Sequence, residues 1–253
     1  MSGMMNPAEF ANIRAVEQDF WWYRGMRKIF FRMMDPLLRG RPMKRVLEAG
    51  CGTGYFSHLL QKEQGWPVVP MDIAGEGLRH ARSLGVQRPV QGDACSLPFA
   101  DGAFDLVLSL DVLPHLPQGE EQRAIREMAR VTAPGGLVMV RAAALGILRS
   151  RHSEYVFERQ RFTRARLADP MRAAGLRVLR CTYANTFLLP VALAKFRVWE
   201  PLSRAPLGSG VEAAPPWLDR LLHTPLALES AWLGAGHDFP IGQSLIVIGE
   251  RPS

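Results

Sequence analysis

The stretch Val46-Leu47-Glu48-Ala49-Gly50-Cys51-Gly52-Thr53-Gly54 constrains the fold of this 253-residue chain more than any other. It reads as a short buried strand that ends on an acidic residue and enters a turn with glycine at every second position. Glycine has no Cβ, so such a turn lets backbone N–H groups and a ligand come close. Parallel α/β sheets bind ligands across the C-terminal ends of their strands, where this turn would lie. The dinucleotide fingerprint G-x-G-x-x-G wants its third glycine at position 55, and this chain has Tyr55 there. The spacing disfavours a nicotinamide-dependent oxidoreductase, which is kept as an alternative.

Strand and helix patterns alternate from residue 45 to residue 141. Strands are expected at Val46–Ala49, Pro67–Asp72, Pro89–Gln91, Phe104–Leu110 and Leu137–Arg141, with helices at Tyr55–Gln64, Gly77–Leu84 and Glu120–Val131. The fourth strand is nearly all apolar after Asp105, as expected when both faces are covered. Ala133-Pro134-Gly135-Gly136 reads as a stop signal for the helix before it. A helix at Arg164–Ala174 with Gly175 as its cap, a strand at Leu176–Thr182 and a last strand at Ser244–Gly249 complete the pattern. Such alternation predicts an α/β, Rossmann-like, doubly wound sheet. Residues 8–38 read as one amphipathic helical segment. About 60 residues, 184–243, are too many for a simple turn and predict a mainly helical insertion at the mouth of the sheet. The expected organisation is a helical cap at 1–43, a ligand-binding domain at 44–183 and 244–253, and the insertion between them.

The formal charge of +7 invites a nucleic-acid reading. However, 27 of the 31 basic residues are Arg, and nine of them crowd into residues 149–180 beside Glu154, Glu158 and Asp169. A solvated, partly paired face is the expectation there, with no nucleic-acid partner. Cys51, Cys95 and Cys181 are scattered, so neither a disulfide framework nor a zinc knuckle is expected, and a reducing cytoplasm fits. The first twenty residues lack a signal-peptide pattern. The run Phe187–Ala194 contains Pro190 and is far short of the ~20 residues a transmembrane helix needs.

Two further carboxylates follow the glycine turn. Asp72 ends the second strand, where it could accept hydrogen bonds from both ribose hydroxyls of an adenosine or simply form a turn. Asp93 follows the third strand, where it could take an adenine amino group, with the Ala94 N–H facing the ring, or cap a helix.

With LEAGCGTG, MDIA, GDACSLPFADGAFDLVLSLDVLPHL and EMARVTAPGG in chain order, residues 44–141 resemble the small-molecule, type 11-like branch of the class I S-adenosylmethionine-dependent methyltransferases. The resemblance implies a seven-stranded sheet of order 3-2-1-4-5-7-6 with strand 7 antiparallel. It implies S-adenosyl-L-methionine extended over strands 1, 2 and 4, and no metal. By position, Glu48, Gly50, Cys51, Gly52 and Gly54 line the methionine end. Asp72 and Ile73 hold the ribose and flank the adenine, Asp93 and Ala94 contact the base, and Ser109 and Leu110 offer carbonyls near the ammonium group. Phe20-Trp21-Trp22-Tyr23-Arg24-Gly25-Met26-Arg27 resembles a helix that closes over the cofactor in some members. That likeness places Trp22 at the site and Arg27 near the carboxylate end; the alternative is a helix packing its aromatic residues into the core.

Base-modifying members carry an Asp/Asn-Pro-Pro-Tyr/Phe tetrad where this chain has Leu110-Asp111-Val112-Leu113, so flipped-base chemistry is disfavoured. His115 is the candidate general base, with an ordinary pKa near neutrality, and Asp111 is the second; each has a structural alternative. His152, Tyr155, Tyr183 and His237 lie in segments that could face an acceptor. Phe187, Leu188, Leu189, Phe196, Trp199, Trp217 and Trp232 suggest an apolar pocket for a small hydrophobic acceptor, or else the surface of a homodimer. A protein that binds the cofactor without catalysis is a further alternative.

Overall fold

The computed structural model describes residues 5–203, 206–211 and 214–253. Parts of the expected cap (1–4) and insertion (204–205 and 212–213) lie outside the described residues.

Seven strands form one sheet: β1 (Val46–Ala49), β2 (Val68–Asp72), β3 (Val90–Gln91), β4 (Phe104–Leu110), β5 (Thr132–Ala143), β6 (Arg177–Ala184) and β7 (Ser244–Glu250). Their order is β3-β2-β1-β4-β5-β7-β6, as the resemblance implies. The first five strands run parallel, and β7 pairs antiparallel with both β5 and β6. All four residues of β1 and all seven of β7 are buried, which explains their nearly unbroken apolar sequences. The chain leaves β1 toward β2 on one side, and the sheet resumes with β4 on the other. This reversal opens a crevice at the C-terminal ends of β1 and β4.

Helices α3 (Tyr55–Glu63), α4 (Gly75–Ser83), α5 (Glu120–Val131) and α7 (Arg164–Ala173) connect the strands. Thr132 already pairs with Phe104 and Leu137 pairs with Leu106. The expected stop Ala133–Gly136 is therefore a bulge inside β5, with Gly135 at φ 73°. Pairing resumes beyond the Pro-Gly pair, so the strand starts five residues before the expected Leu137.

The N-terminal segment is two helices, α1 (Pro7–Val16) and α2 (Trp21–Leu38). The break has a physical cause: the Arg27 guanidinium takes the carbonyls of Glu17 and Gln18, at 2.6 and 2.7 Å, as hydrogen-bond acceptors. In the insertion, α8 (Leu189–Leu193) continues through a π-helical stretch, Ala194–Trp199, into α9 (Glu200–Leu202); α10 (Pro216–Gly234) follows. Before the insertion lies α6 (Arg151–Tyr155), whose capping box pairs Ser150 with Ser153.

Helix α10 lies along α2, and the contact is close because Gly25 has no side chain. A Cβ there would come within 2.4 Å of Leu226 Cδ1. No α2 side chain caps its own N-terminus. Asp219 of α10 does so instead, accepting the Trp21 N–H at 2.8 Å and pairing with Arg24. Helix α10 thus backs α2, which itself lines the crevice.

Candidate functional site

The crevice is one continuous cavity of about 850 Å³. One half is made of backbone. The N–H groups of Gly50 and Cys51 both donate to the Met71 carbonyl, at 2.7 and 2.8 Å, and pin the glycine turn to β2. Gly50 sits at φ 88°, and a Cβ there would lie 2.0 Å from Val112 Cγ2, so only glycine fits. Asp72 Oδ2 accepts the Gly52 N–H and Oδ1 the Ala74 N–H, both at 2.8 Å. Asp72 lines the cavity, and a carboxylate oxygen can accept more than one hydrogen bond. Burial pushes Asp72 above the usual carboxylate range. Glu48 is fully enclosed, accepts the Ser57 hydroxyl, and is raised by burial to about 8.

Glu48, Gly50, Cys51, Gly52, Asp72, Ile73, Asp93, Ala94 and Leu110 all line this half. Asp93 is held by the Cys95 N–H at 2.8 Å. Two expected residues do not line it. Gly54 instead makes room for α4, since a Cβ there would meet Ala81 Cβ at 2.3 Å. Ser109 is fully buried within β4, and its hydroxyl has no partner among the described residues.

The other half is made of side chains from segments distant in sequence. Asp111, at φ 60°, holds the Arg141 guanidinium with contacts of 2.6 and 3.0 Å. Arg141 also lies over the Trp22 ring, 5.1 Å from its centroid. Arg27 lines the cavity but stacks over Tyr55 at 5.3 Å, with its N–H groups engaged at the α1–α2 break. Glu17, just after α1, accepts the Thr53 hydroxyl, and burial raises its carboxyl to about 7.

His115 and His152 line the cavity together. Burial lowers the pKa of both, so each imidazole is neutral near pH 7. Neither Nδ1 has a partner among the described residues. Glu158 and Arg161 pair beside them at 2.6 Å. Among the described residues the cavity is lined by eight carboxyl side chains and five cationic ones. Arg141, Arg151, Arg161 and Arg27 are each engaged by protein oxygens.

The apolar residues expected around an acceptor divide. Phe196 and Trp199 line the cavity, whereas Phe187, Trp217 and Trp232 stand on the outer surface. Leu188 and Leu189 are buried beneath the insertion. Of the four further candidates only His152 reaches the cavity; His237 packs against Trp232 with its ring tilted and the centroids 4.2 Å apart, and Tyr183 is buried under Arg164. Sequence reasoning missed Glu17, Arg141 and Glu158, none of which belongs to a local motif, and also Thr53, which lies within the glycine turn. Among the described residues no group of three His, Cys, Asp or Glu side chains is placed to hold a metal ion.

Residues 47–140 match the family described as "Methyltransferase domain". Malonyl-[acyl-carrier protein] O-methyltransferase from Erwinia pyrifoliae is 38% identical over 109 residues, covering 42% of this chain and 39% of that protein. "Probable tRNA methyltransferase 9B" from Homo sapiens is 34% identical over 128 residues, covering 50% of this chain and 27% of that protein. The chain thus spans less than half the length of these curated relatives. Among solved structures, phosphoethanolamine N-methyltransferase 2 from Haemonchus contortus, with S-adenosyl-L-methionine bound, superposes with a TM-score of 0.55. It is 19% identical and covers 88% of this chain and 52% of its own, which shows a shared fold.

Proposed function

Because residues 47–140 form a class I S-adenosylmethionine-dependent methyltransferase domain, we propose that this chain transfers a methyl group to a small acceptor through an uncharged hydroxyl or amine. When bound, S-adenosyl-L-methionine supplies a sulfonium methyl open to in-line displacement. The observation that supports the reading is the continuity of the cavity from the glycine turn to the two neutral histidines. Gly52, at φ 55° with open space where its Cβ would stand, leaves room for a ligand against the backbone. The free lone pairs of Asp72 suit ribose hydroxyls. Glu48 and the surplus of carboxyl groups favour a cationic ligand over an anionic one.

The chain's own part in the reaction is positioning, exclusion of water and removal of a proton. Layering α1, α2 and α8–α9 over the sheet encloses the reacting groups, and alignment alone accounts for much of such a rate. His115, kept neutral by burial, takes up the proton that a hydroxyl or amine gives up. Asp111 does not fill that role in this reading, since its carboxylate is engaged by Arg141; it acts by holding Arg141, which lies over Trp22. With most of the cavity's cations engaged, carboxylate and phosphate acceptors are poorly matched, and so is nucleic acid. Much of the lining is apolar, which supports the hydrophobic acceptor expected from sequence, and Phe196 and Trp199 give the mouth an apolar edge.

The test is calorimetry with S-adenosylhomocysteine, followed by turnover on panels of hydroxyl, amine, carboxylate and phosphate acceptors. Binding at one site and turnover confined to the first two panels is the expected result. Alanine at His115 should cost about 10²–10⁴ in turnover and leave cofactor affinity intact. No binding to S-adenosylhomocysteine would overturn the reading, and binding without any turnover would favour a non-catalytic role.

A further inference from the structure

Helix α10 is apolar on two opposite faces. One packs on α2 through Leu226 and Leu233, both fully buried. The other presents Trp217, 67% exposed, with Leu221, Leu228 and Trp232. A helix hydrophobic all round is ordinarily buried on every side, and this one is not. The helix from α8 to α9 repeats the pattern. Ala192 is buried and Phe196 faces the cavity, while Val191, Val198 and Leu202 point outward, Leu202 at 77% exposure. Aromatic contacts join the two faces: Trp232 to Phe239 at 6.3 Å, and Phe239 to Phe187 at 5.4 Å. Phe187 enters α8 with its N–H held by Glu229 of α10 at 2.7 Å. The two exposed faces approach each other at Phe187 and Trp232, on either side of Phe239, and the α8–α9 face adjoins the cavity through Phe196 and Trp199.

The charges on that surface choose its occupant. Lys195, Arg197 and Arg220 are exposed between the apolar side chains. Among the described residues, Asp219 is engaged by Arg24 and the Trp21 N–H, Glu200 by the Arg151 N–H, and Asp238 by Arg180. A two-fold contact with a second copy sets a patch against itself, which would bring these cations toward one another with no free carboxylate among the described residues to meet them. An anionic lipid surface meets both features, because tryptophan and leucine enter the interface while Lys and Arg reach the headgroups. No helix among the described residues is long and apolar enough to cross a membrane.

We propose that this face seats the protein on an anionic bilayer, with the mouth of the cavity turned toward the lipid. The inference concerns a surface outside the cavity and does not depend on methyl transfer. It is tested by sedimentation with vesicles of phosphatidylcholine alone or mixed with phosphatidylglycerol. The protein should bind the mixed vesicles, with a blue shift of tryptophan emission, and release with added salt. Val198→Ser with Leu202→Ser should lower the partition constant about tenfold; Arg197→Gln and Arg220→Gln should each lower it about fivefold. None of these residues lines the cavity, so unchanged affinity for S-adenosylhomocysteine certifies the fold of each variant. Absence of binding to the mixed vesicles, or binding that survives Val198→Ser with Leu202→Ser, overturns the proposal. So does a dimer in sedimentation velocity that Trp217→Ser converts to monomer.

Discussion

The two halves of the cavity are built in opposite ways. The half beneath the glycine turn is fixed by backbone: strand ends, positive φ angles and N–H groups bonded to Met71 and Asp72. The half around His115 and His152 is fixed by side chains from α2, β4, β5 and the loops near α6, held through pairs such as Asp111–Arg141 and Glu158–Arg161. Backbone sites tolerate little, because a Cβ in the wrong place has nowhere to go. Side-chain sites can be rebuilt one residue at a time, which is how one sheet can serve many acceptors.

The sharpest way to break this contrast is Gly50→Ala. Its Cβ would combine a left-handed backbone with a 2.0 Å approach to Val112, a cost on the order of 3 kcal/mol in stability. Shifting the turn by even a fraction of an ångström should lower affinity for S-adenosylhomocysteine about a hundredfold. Alanine at His152, in the other half, should leave that affinity unchanged. Calorimetry on both variants decides; equal effects would mean the halves are not independent.

What the sequence revealed follows the same line. The turn and the carboxylates at 72 and 93 were legible because neighbouring residues determine each of them, whereas the strand order came only through the family resemblance. Spacing alone does not show that Gly54 accommodates Ala81 or that the Ser109 side chain is buried within the sheet. Glu17 and Arg141 gave no signal: each acquires its place only when α1 and β5 pack over the crevice. The amphipathic pattern of 8–38 runs through the break at Glu17, which comes from Arg27 ten residues later. For Trp217 and Trp232 the sequence leaves a pocket and an exposed surface both open, because composition reports hydrophobicity and not the face it is on; the structure places both on the outer surface.

A smaller effect separates the halves by their protons. Burial raises Glu48 to about 8, so its carboxyl is protonated near neutrality. A cationic ligand beside it favours the carboxylate, so binding releases a proton and affinity should rise with pH until it levels off above about 8. Without ligand the sign is opposite. The folded pKa lies above the ordinary 4.5, so the folded state holds more protons than the unfolded one. Stability from this group is therefore full below about pH 4.5 and lost as pH rises toward 8. Glu17, raised to about 7, acts in the same direction over a narrower window. Glu48→Gln should flatten both dependences and, above pH 8, melt higher than the parent while binding more weakly. Calorimetric scans and titrations across this range measure both; a dependence on pH unchanged in Glu48→Gln assigns the proton elsewhere.

The smallest effect tests whether the layer over the side-chain half is held from outside it. Asp219 caps α2 from α10, a bond between residues 198 apart in sequence, and pairs with a partly exposed Arg24. Losing a cap acceptor costs about 1 kcal/mol, and the ion pair adds little because solvent screens it. Asp219→Ala should thus lower the melting temperature by roughly 2–4 °C, and Asp219→Asn, which keeps an acceptor oxygen, by less. Arg24→Ala combined with Asp219→Ala should cost little more than Asp219→Ala alone, since the pair is a minor contributor. Affinity for S-adenosylhomocysteine should not change in any of them, because none touches the glycine turn. Loss of that affinity in Asp219→Ala would show that the covering layer and the backbone half form one cooperative unit.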